Sequence, residues 1–314
     1  MAMSNSTAIR AISLLPNTLP ISPVSSNPNR CGRIRPHRRS GLVSAMAAMA
    51  IMAVSFLAGG DPVEHARPIA ELDPAGVDAY LRDLHAREPD FGKRIIAIAR
   101  DSLGTPYANG PLGEGPGAPF DSDPLMDLTR VDCVTFIEQS IALAASHSRQ
   151  EAYDRLQKIR YKNGIVAFEH RNHFMEADWV VNNRFCRDVT RKLKTATVDA
   201  TRIIGRKKFF ELLKAPELAA KTPNQTLTLT YVPGSEACKA AKRLPSPAII
   251  LCIGKQDWLF VLHCGLFVRE ADDRPMLYQA SSTAGKVIAS EFTGFFENNG
   301  RYLGFTAYAI GKPS

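Results

Sequence analysis

The sequence predicts an α+β fold in which N-terminal helices are followed by an antiparallel sheet. Between residues 73 and 160 the apolar residues recur with helical spacing, whereas after Pro223 short runs rich in β-branched and aromatic residues indicate strands. Helices followed by strands, without regular alternation, are typical of an α+β domain with an antiparallel sheet. No internal repeat and no linker divides residues 61–314, so we expect one domain there.

Capping residues and apolar periodicity define the predicted helices. Asp73 with Pro74 marks the start of the first helix, and Asp90 marks the start of the second. The predicted helices cover residues 73–86, 90–103, 133–146, 150–159 and, as a basic amphipathic helix, 200–214. A loop rich in Gly and Pro, residues 104–130, separates the second helix from the third, and long loops inside domains are often functional.

Six predicted strands follow, and their order suggests hairpins. They cover residues 226–232, 248–253, 258–269, 276–282, 286–290 and 302–310, with a helical segment at 234–243. The strand at 276–282 is expected to pair with the strand at 258–269 through a turn at residues 271–275.

Most of the net positive charge lies in residues 1–60, the leader. The formal net charge is +8, but residues 1–60 contain six arginines and no acidic residue, which leaves 33 basic and 31 acidic residues in 61–314. The nearly neutral remainder argues against a nucleic-acid partner. Residues 40–60 carry no charge and follow a basic region, as in an export signal. We therefore expect a disordered basic leader with a cleaved signal in residues 1–60 and a location in the periplasm or cell envelope. An uncleaved anchor or a mitochondrial transit peptide is the alternative.

Cys133 is the candidate nucleophile. It follows the long loop and stands at the first turn of the predicted third helix. Unpaired N–H groups and the positive end of the helix dipole stabilise a thiolate at such a position. A small buried cysteine that begins a core helix is the alternative. The long loop, the odd number of cysteines after residue 60 and an available histidine favour the nucleophile.

A thiol nucleophile needs a base and a group that orients the base. His263 is the predicted base, because it is a polar residue within an apolar strand, and Gly265 leaves room beside it for a substrate. Cys264 points to the opposite face by strand alternation, so it is not expected to share this task. Gln279, on the next strand, is the predicted orienting group, since its side-chain carbonyl can accept from the ring. A core histidine bonded to a backbone carbonyl is the alternative for His263.

A dense polar and aromatic cluster lies between the candidate nucleophile and base, and we expect it to line a substrate groove. It contains Arg171, Asn172, His173 and Trp179. His170 and His173 have a spacing that suits zinc on a helix, but no His-Glu-x-x-His or Cys-x-x-Cys pattern accompanies them, so we expect neither metal nor cofactor. An ordinary surface loop is the alternative.

Several stretches together resemble the bacterial N-acetylmuramoyl-L-alanine amidase-like family, in the NlpC-type branch of the papain-like cysteine peptidases. The resemblance covers about residues 90–310. Its most specific parts are Asp132-Cys-Val-Thr-Phe-Ile-Glu138 and Arg171-Asn-His-Phe174. The other parts are Leu103-Gly-Thr-Pro-Tyr107, Pro111-Leu-Gly-Glu-Gly115, Ile159-Arg-Tyr161, Asp178-Trp179, Asn182-Asn183, His263-Cys-Gly265 and Gln279-Ala-Ser-Ser282.

The resemblance implies a papain-like (NlpC-type) fold and a cysteine amidase or peptidase acting on peptidoglycan or muropeptides. Cys133 would be the nucleophile, His263 the base and Gln279 the third polar residue, where the family usually has histidine. The residues expected to bind substrate are Tyr107, Asp132, Arg171, Asn172, His173, Trp179 and Ser281.

The expected reaction is cleavage of the amide between N-acetylmuramic acid and L-Ala of the stem peptide. The Cys133 thiolate would attack the carbonyl, backbone N–H groups at the helix start would hold the oxyanion, and His263 would protonate the leaving amine. The alternatives are an endopeptidase that cuts within the stem peptide, a metal amidase and a non-catalytic cell-wall binding module. We expect a monomer that contacts a membrane only through an uncleaved N-terminal segment.

Overall fold

An antiparallel sheet of eight strands forms the centre of the computed structural model, which describes residues 68–313. The strand order is β2-β3-β8-β4-β5-β6-β7, and β1 pairs with the end of β8. The strands are β1 (Cys186–Asp188), β2 (Val198–Ile204), β3 (Gln225–Pro233), β4 (Ala248–Gly254), β5 (Val261–Arg269), β6 (Pro275–Ser281), β7 (Lys286–Glu291) and β8 (Tyr302–Ile310).

The helices precede the sheet or lie in connections between its strands. The Asp73 side chain caps the first by accepting the N–H of Gly76, and the Asp90 side chain caps the second by accepting that of Lys93. The helices are α1 (Pro74–Arg87), α2 (Phe91–Asp101), α3 (Cys133–Ala144), α4 (Arg149–Arg160), α5 (Val180–Asn182), α6 (Arg206–Leu212), α7 (Pro216–Lys221), α8 (Ala237–Ala241) and α9 (Phe292–Glu297).

These helices and antiparallel strands confirm the α+β class, and one predicted element is wrong. The helix predicted at residues 200–214 begins only at Arg206, because Val198–Ile204 forms strand β2. In β2 the side chains of Ala200, Arg202 and Ile204 are more buried than their neighbours, and the strand pairs with β3 along its whole length. Pairing with a partner strand outweighs the local helical pattern here.

Helices cover both faces of the sheet. The core that includes α1–α4 packs on the face that carries Leu251 and Leu266. Helices α8 and α9 pack on the opposite face, which carries Cys252 and Phe267. All residues of β4 are buried, because this central strand contributes apolar side chains to both layers.

Strands β5 and β6 part at one end, and this end becomes important for the site. Their pairing stops at Leu266 and Tyr278, so His263 lies beyond it. A Cβ atom at Gly265 would lie 2.7 Å from the carbonyl oxygen of Tyr278 and 2.9 Å from the side chain of Leu277. The space expected at Gly265 for a substrate is therefore filled by β6, and glycine is needed for the close approach of the strands.

The leader falls outside the described residues. Its predicted disorder, export signal and cleavage at residues 1–60 therefore stay predictions. Between residues 68 and 313, no helix combines the length and the apolar character needed to span a bilayer.

Candidate active site

A capping box fixes the helix start that carries Cys133. Asp132 is the N-cap of α3, and its carboxylate accepts the N–H groups of Val134 at 3.0 Å and Thr135 at 2.7 Å. The hydroxyl of Thr135 accepts the N–H of Asp132 at 2.8 Å. The carboxylate also accepts the N–H of Gly110, at 3.2 Å, from the long loop. These bonds hold the loop and the first turn of α3 in one orientation.

The hydrogen bonds of the Asp132 cap also determine which first-turn N–H groups are free to bind an oxyanion. Because Val134 and Thr135 donate to Asp132, they are not free to hold a substrate oxygen. The N–H of Cys133 is the first-turn amide for which the described residues supply no acceptor. One backbone donor, rather than the several expected, is therefore available beside the sulfur.

His263 is oriented by Gln279. Its Nε2 lies 2.5 Å from Oε1 of Gln279, and the Gln279 amide group donates to Oγ of Ser290 at 3.0 Å. The amide nitrogen faces Ser290, so the amide oxygen faces the ring and Nε2 carries the proton in this arrangement. Nδ1 is then the ring nitrogen that can accept a proton from Cys133.

The surroundings of Cys133 favour its thiolate. A hydrogen bond from the Cys264 thiol and a second interaction with the His263 ring hold the pKa of Cys133 well below its usual range, although burial opposes this. Burial raises the pKa of Cys264 well above that of an ordinary thiol. Cys264 therefore remains protonated as the donor while Cys133 carries the charge.

Cys264 thus influences the charge of Cys133, although it does not share the task of His263 as the base. Strand alternation does place its side chain on the face covered by α1–α4, in the core against which Cys133 packs. His263 lies at the open end of β5, where that strand no longer pairs with β6. Two successive residues of β5, His263 and Cys264, both lower the pKa of Cys133.

Two aromatic side chains stand beside the His263 ring. Phe295 of α9 and Tyr302 of β8 stack with centroids 5.6 Å apart. Their centroids lie 6.2 and 6.3 Å from that of His263. Both are partly buried, so they limit the access of water to one side of the imidazole.

The predicted substrate residues Tyr107 and Ser281 lie near the β6–β7 turn. Tyr107 is half-buried, forms an isolated bridge with Val131, and donates its N–H to the carbonyl of Gly285. Tyr107 therefore lies beside Val131, which precedes Cys133 by two residues. Ser281 is half-buried, and its hydroxyl accepts the N–H of Ala284.

Arg171 and Asn172 hold other parts of the chain together. The guanidinium of Arg171 forms ion pairs with Glu114 at 2.5 Å and Asp121 at 2.9 Å, both in the long loop. The side-chain amide of Asn172 donates to the carbonyl of Ile159 at 3.0 Å, near the end of α4. The structure therefore assigns both residues a positional role, and their contact with substrate stays a prediction.

His173 is a neutral residue in this fold. Its Nε2 lies 2.7 Å from the carbonyl oxygen of Phe168. Burial, together with the charge of Arg171, lowers the pKa of His173 to about 3. It therefore carries no charge at neutral pH.

Trp179 belongs to a buried network one turn beyond Cys133. It is 0% exposed, and its indole N–H donates to Glu138 at 2.9 Å. Glu138 also forms an ion pair with Arg160 at 3.0 Å, and Arg160 donates to the carbonyl of Leu112 in the long loop. Trp179 thus has no exposed surface with which to stack on a substrate, and it supports α3 instead.

Six of the predicted site residues form two groups. Cys133, His263 and Gln279 meet at the start of α3. Arg171, Asn172 and His173 line a separate cavity of about 170 Å³, whose other polar walls include Lys162, His170, Asn182 and Arg206. In the part of the chain that the structure describes, no three His, Cys, Asp or Glu side chains are grouped to hold a metal ion.

Sequence reasoning missed Cys264, Ser290 and the Glu138–Arg160 pair. Ser290 could be found only through the pairing of Gln279 with β7, which places it close by. An acidic residue within the apolar helix after Cys133 is a signal for Glu138, since such a charge needs a buried partner. Nothing in the sequence identifies that partner as Arg160.

The fold and these contacts define the class of protein: an α+β protein in which a thiol at a helix start meets an imidazole oriented by a carboxamide. Residues 97–303 match the model of the AmiA-like family, described as N-acetylmuramoyl-L-alanine amidase-like. The match covers about two thirds of the chain. The protein belongs to this family of amidase-like peptidoglycan hydrolases.

Solved structures show the same fold. A Legionella pneumophila protein of the DUF1460 family has a TM-score of 0.65 at 22% identity, over 76% of this chain and 97% of that one. An N-acetylmuramoyl-L-alanine amidase from Bacteroides uniformis has a TM-score of 0.58 at 25% identity, over 71% and 99%. A putative xylanase from Bacteroides fragilis has a TM-score of 0.54 at 22% identity, over 68% and 99%. No curated protein matches the chain.

Proposed function

We propose that the protein is a cysteine-dependent amidase that cleaves the bond between the lactyl carbonyl of N-acetylmuramic acid and L-Ala. The observation that carries this proposal is the contact of Cys133, at the start of α3, with a histidine whose far nitrogen is held by Gln279. The family supports peptidoglycan as the substrate, and the similar Bacteroides uniformis amidase supports the choice of bond.

In the first half of the reaction, the Cys133 thiolate attacks the amide carbonyl carbon. The N–H of Cys133 donates to the oxyanion, since it is the first-turn amide left by the Asp132 cap. The His263 imidazolium then gives the proton on Nδ1 to the leaving amine. The C–N bond breaks, the stem peptide departs with a free amino group, and a thioester joins the lactyl carbonyl to Cys133.

In the second half, neutral His263 takes a proton from water as the water oxygen attacks the thioester. The C–S bond breaks, and the lactyl carboxylic acid and the Cys133 thiolate form. Gln279 keeps Nε2–H bonded through both halves, so the same ring nitrogen faces the reacting groups each time. No redox partner or cofactor is needed for this balance.

We also assign the fold to the papain-like group in its NlpC-type branch. A helix that begins with the nucleophile and packs on an antiparallel sheet carrying the histidine and its orienting residue supports this assignment. The substrate of such an enzyme lies in the cell envelope, which agrees with the proposed export of the chain through residues 40–60.

Inhibition of muropeptide hydrolysis tests the nature of the nucleophile. Iodoacetamide should abolish turnover, whereas a chelator should leave it unchanged, because the proposed steps use a thiolate. Cys186→Ala is the matched control, since Cys186 is a buried free thiol in β1 outside the site, and it should retain both activity and iodoacetamide sensitivity. Inhibition by the chelator alone would favour a metal amidase. Muropeptide binding without turnover would favour a binding module.

A further inference from the structure

We propose that Glu176 is a positioning residue for the catalytic histidine: its buried carboxyl group holds the start of β5 and so sets where His263 stands relative to Cys133. This inference deepens the proposed function and rests on it only in taking Cys133 and His263 as the reacting pair. Glu176 lies in a π-helical turn, Met175–Trp179, which directly precedes α5. Single π-helical turns are rare and often occur at functional sites.

The side chain of Glu176 is bonded to the strand that carries His263. It is 3% exposed, and its Oε1 accepts the N–H of Phe260 at 3.1 Å and the N–H of Val261 at 3.4 Å. Val261 is the first residue of β5 and precedes His263 by two residues. The second oxygen of Glu176, Oε2, is buried without a hydrogen-bond partner among the residues that the structure describes. An unpaired buried oxygen costs free energy, so stability alone does not explain a glutamate here.

Strand β5 needs such a contact because its pairing is irregular just before His263. The ladder between β4 and β5 shifts by one residue there, so that Leu262 is an extra residue in β5. A bulge of this kind disrupts the ladder locally and changes the direction of neighbouring side chains. On its other side, β5 pairs with β6 only from Leu266 onward. The bonds from Glu176 therefore hold the end of β5 at which strand pairing is weakest.

The same π-helical turn also contacts the helix that carries Cys133. Trp179, the last residue of the turn, donates its indole N–H to Glu138 of α3 at 2.9 Å. Two side chains of one short turn thus bind the two elements that carry the nucleophile and the base. The turn acts as a brace between them, with Glu176 on the histidine side and Trp179 on the cysteine side. Misplacing a reacting group by about 1 Å can cost about 100-fold in rate.

The connection between β4 and β5 has a second support, so replacing Glu176 should not unfold it. The guanidinium of Arg202 donates to the carbonyl oxygens of Leu259 at 2.8 Å and Gly254 at 3.0 Å. Arg202 thus holds carbonyl groups of this connection, whereas Glu176 holds N–H groups that lie nearer to His263 in the sequence.

The test compares three variants at Glu176. Glu176→Met has a similar length but no acceptor, Glu176→Asp withdraws the acceptor by one methylene group, and Glu176→Gln keeps an acceptor oxygen. The first two should lower kcat for muropeptide hydrolysis about 10- to 100-fold with little change in KM, because the base is misplaced while the substrate surface is kept. Glu176→Gln should stay within about threefold of the wild type. If Glu176→Met does not fold, the milder Glu176→Asp provides the comparison.

A second readout, the pH dependence of iodoacetamide alkylation at Cys133, does not depend on the substrate. Peptide mass spectrometry locates the alkylated thiol. A weaker interaction with the His263 ring should raise the alkylation midpoint of Glu176→Met and Glu176→Asp by at least about half a pH unit. Glu176→Gln should keep the wild-type midpoint.

Thr190→Val is the matched control, because the Thr190 hydroxyl is also a buried oxygen that accepts a strand N–H, that of Ala307 in β8 at 3.0 Å. It should leave kcat and the alkylation midpoint unchanged. An unchanged kcat or midpoint in folded Glu176→Met and Glu176→Asp would overturn the proposal. An equal loss in Thr190→Val, or no rescue by Glu176→Gln, would overturn it as well. If the midpoints shift as expected but the wild type hydrolyses no muropeptide, the proposed function fails while the role of Glu176 stands.

Discussion

Replacing Gln279 with leucine should slow the enzyme without unfolding it. Gln279 is 3% exposed, and its Oε1 accepts the Nε2–H of His263 at 2.5 Å. Leucine has a similar volume but no acceptor, so the ring loses the bond that fixes its orientation and its protonated nitrogen. During catalysis the ring is an imidazolium, and a hydrogen bond to a charged group contributes about 1.5–3 kcal/mol.

This free energy corresponds to a loss of about 10- to 150-fold in kcat for Gln279→Leu. The assay is the initial rate of stem-peptide release from a defined muropeptide, with circular dichroism to verify folding. Ser290→Ala is the matched control, because it removes the partner of the Gln279 amide nitrogen but leaves the bond to His263. It should cost only a few-fold. A loss below about threefold in folded Gln279→Leu, or an equal loss in Ser290→Ala, would refute the reasoning.

Three further predictions concern stability. Arg160→Met should lower the free energy of unfolding by about 3–5 kcal/mol, because Glu138 is left charged and buried. Arg87→Met breaks an exposed pair and should cost less than about 1 kcal/mol in the same urea titration. Asp132→Ala should lower the free energy of unfolding by about 0.5–2 kcal/mol, because the helix loses its cap. Asp132→Asn should retain most of the wild-type stability, since asparagine also caps helices. Equal losses in the two variants would show that capping is not the cause. The wild type should lose stability as the pH falls below about 6.5, because His173 then binds a proton in the unfolded chain but not in the folded chain. His173 should contribute up to about 1.4 kcal/mol to this loss for each pH unit. Urea titrations between pH 7 and 4 should show a smaller decline in His173→Gln, and an identical decline would contradict the neutral, buried state of this histidine.

The sequence predicts the centre of the site because its determinants are local. A capping residue, a cysteine and an apolar helix predict the start of α3. The placement of His263 beside Gln279 follows from the pairing of two neighbouring strands, and the short turn between them predicts this pairing from the sequence alone.

Long-range contacts explain what the sequence does not reveal. Strand alternation places Cys264 on the face away from His263, but the sequence does not reveal where β5 and β6 separate or that both residues lower the pKa of Cys133. Arg171 and Trp179 look like surface groups for a substrate because their partners, Glu114 and Glu138, are distant in the sequence. In the same way, the helical pattern at residues 200–214 does not reveal that β3 provides a pairing edge.

Mass spectrometry of the products from a defined disaccharide muropeptide tests the central claim most directly. The purified protein should release the intact stem peptide with a free L-Ala amino group, and Cys133→Ala should release none. Shortened peptides still joined to the sugar would show an endopeptidase instead. Release by Cys133→Ala at the wild-type rate would contradict the account, because the chemistry would then not depend on the thiol at the start of α3.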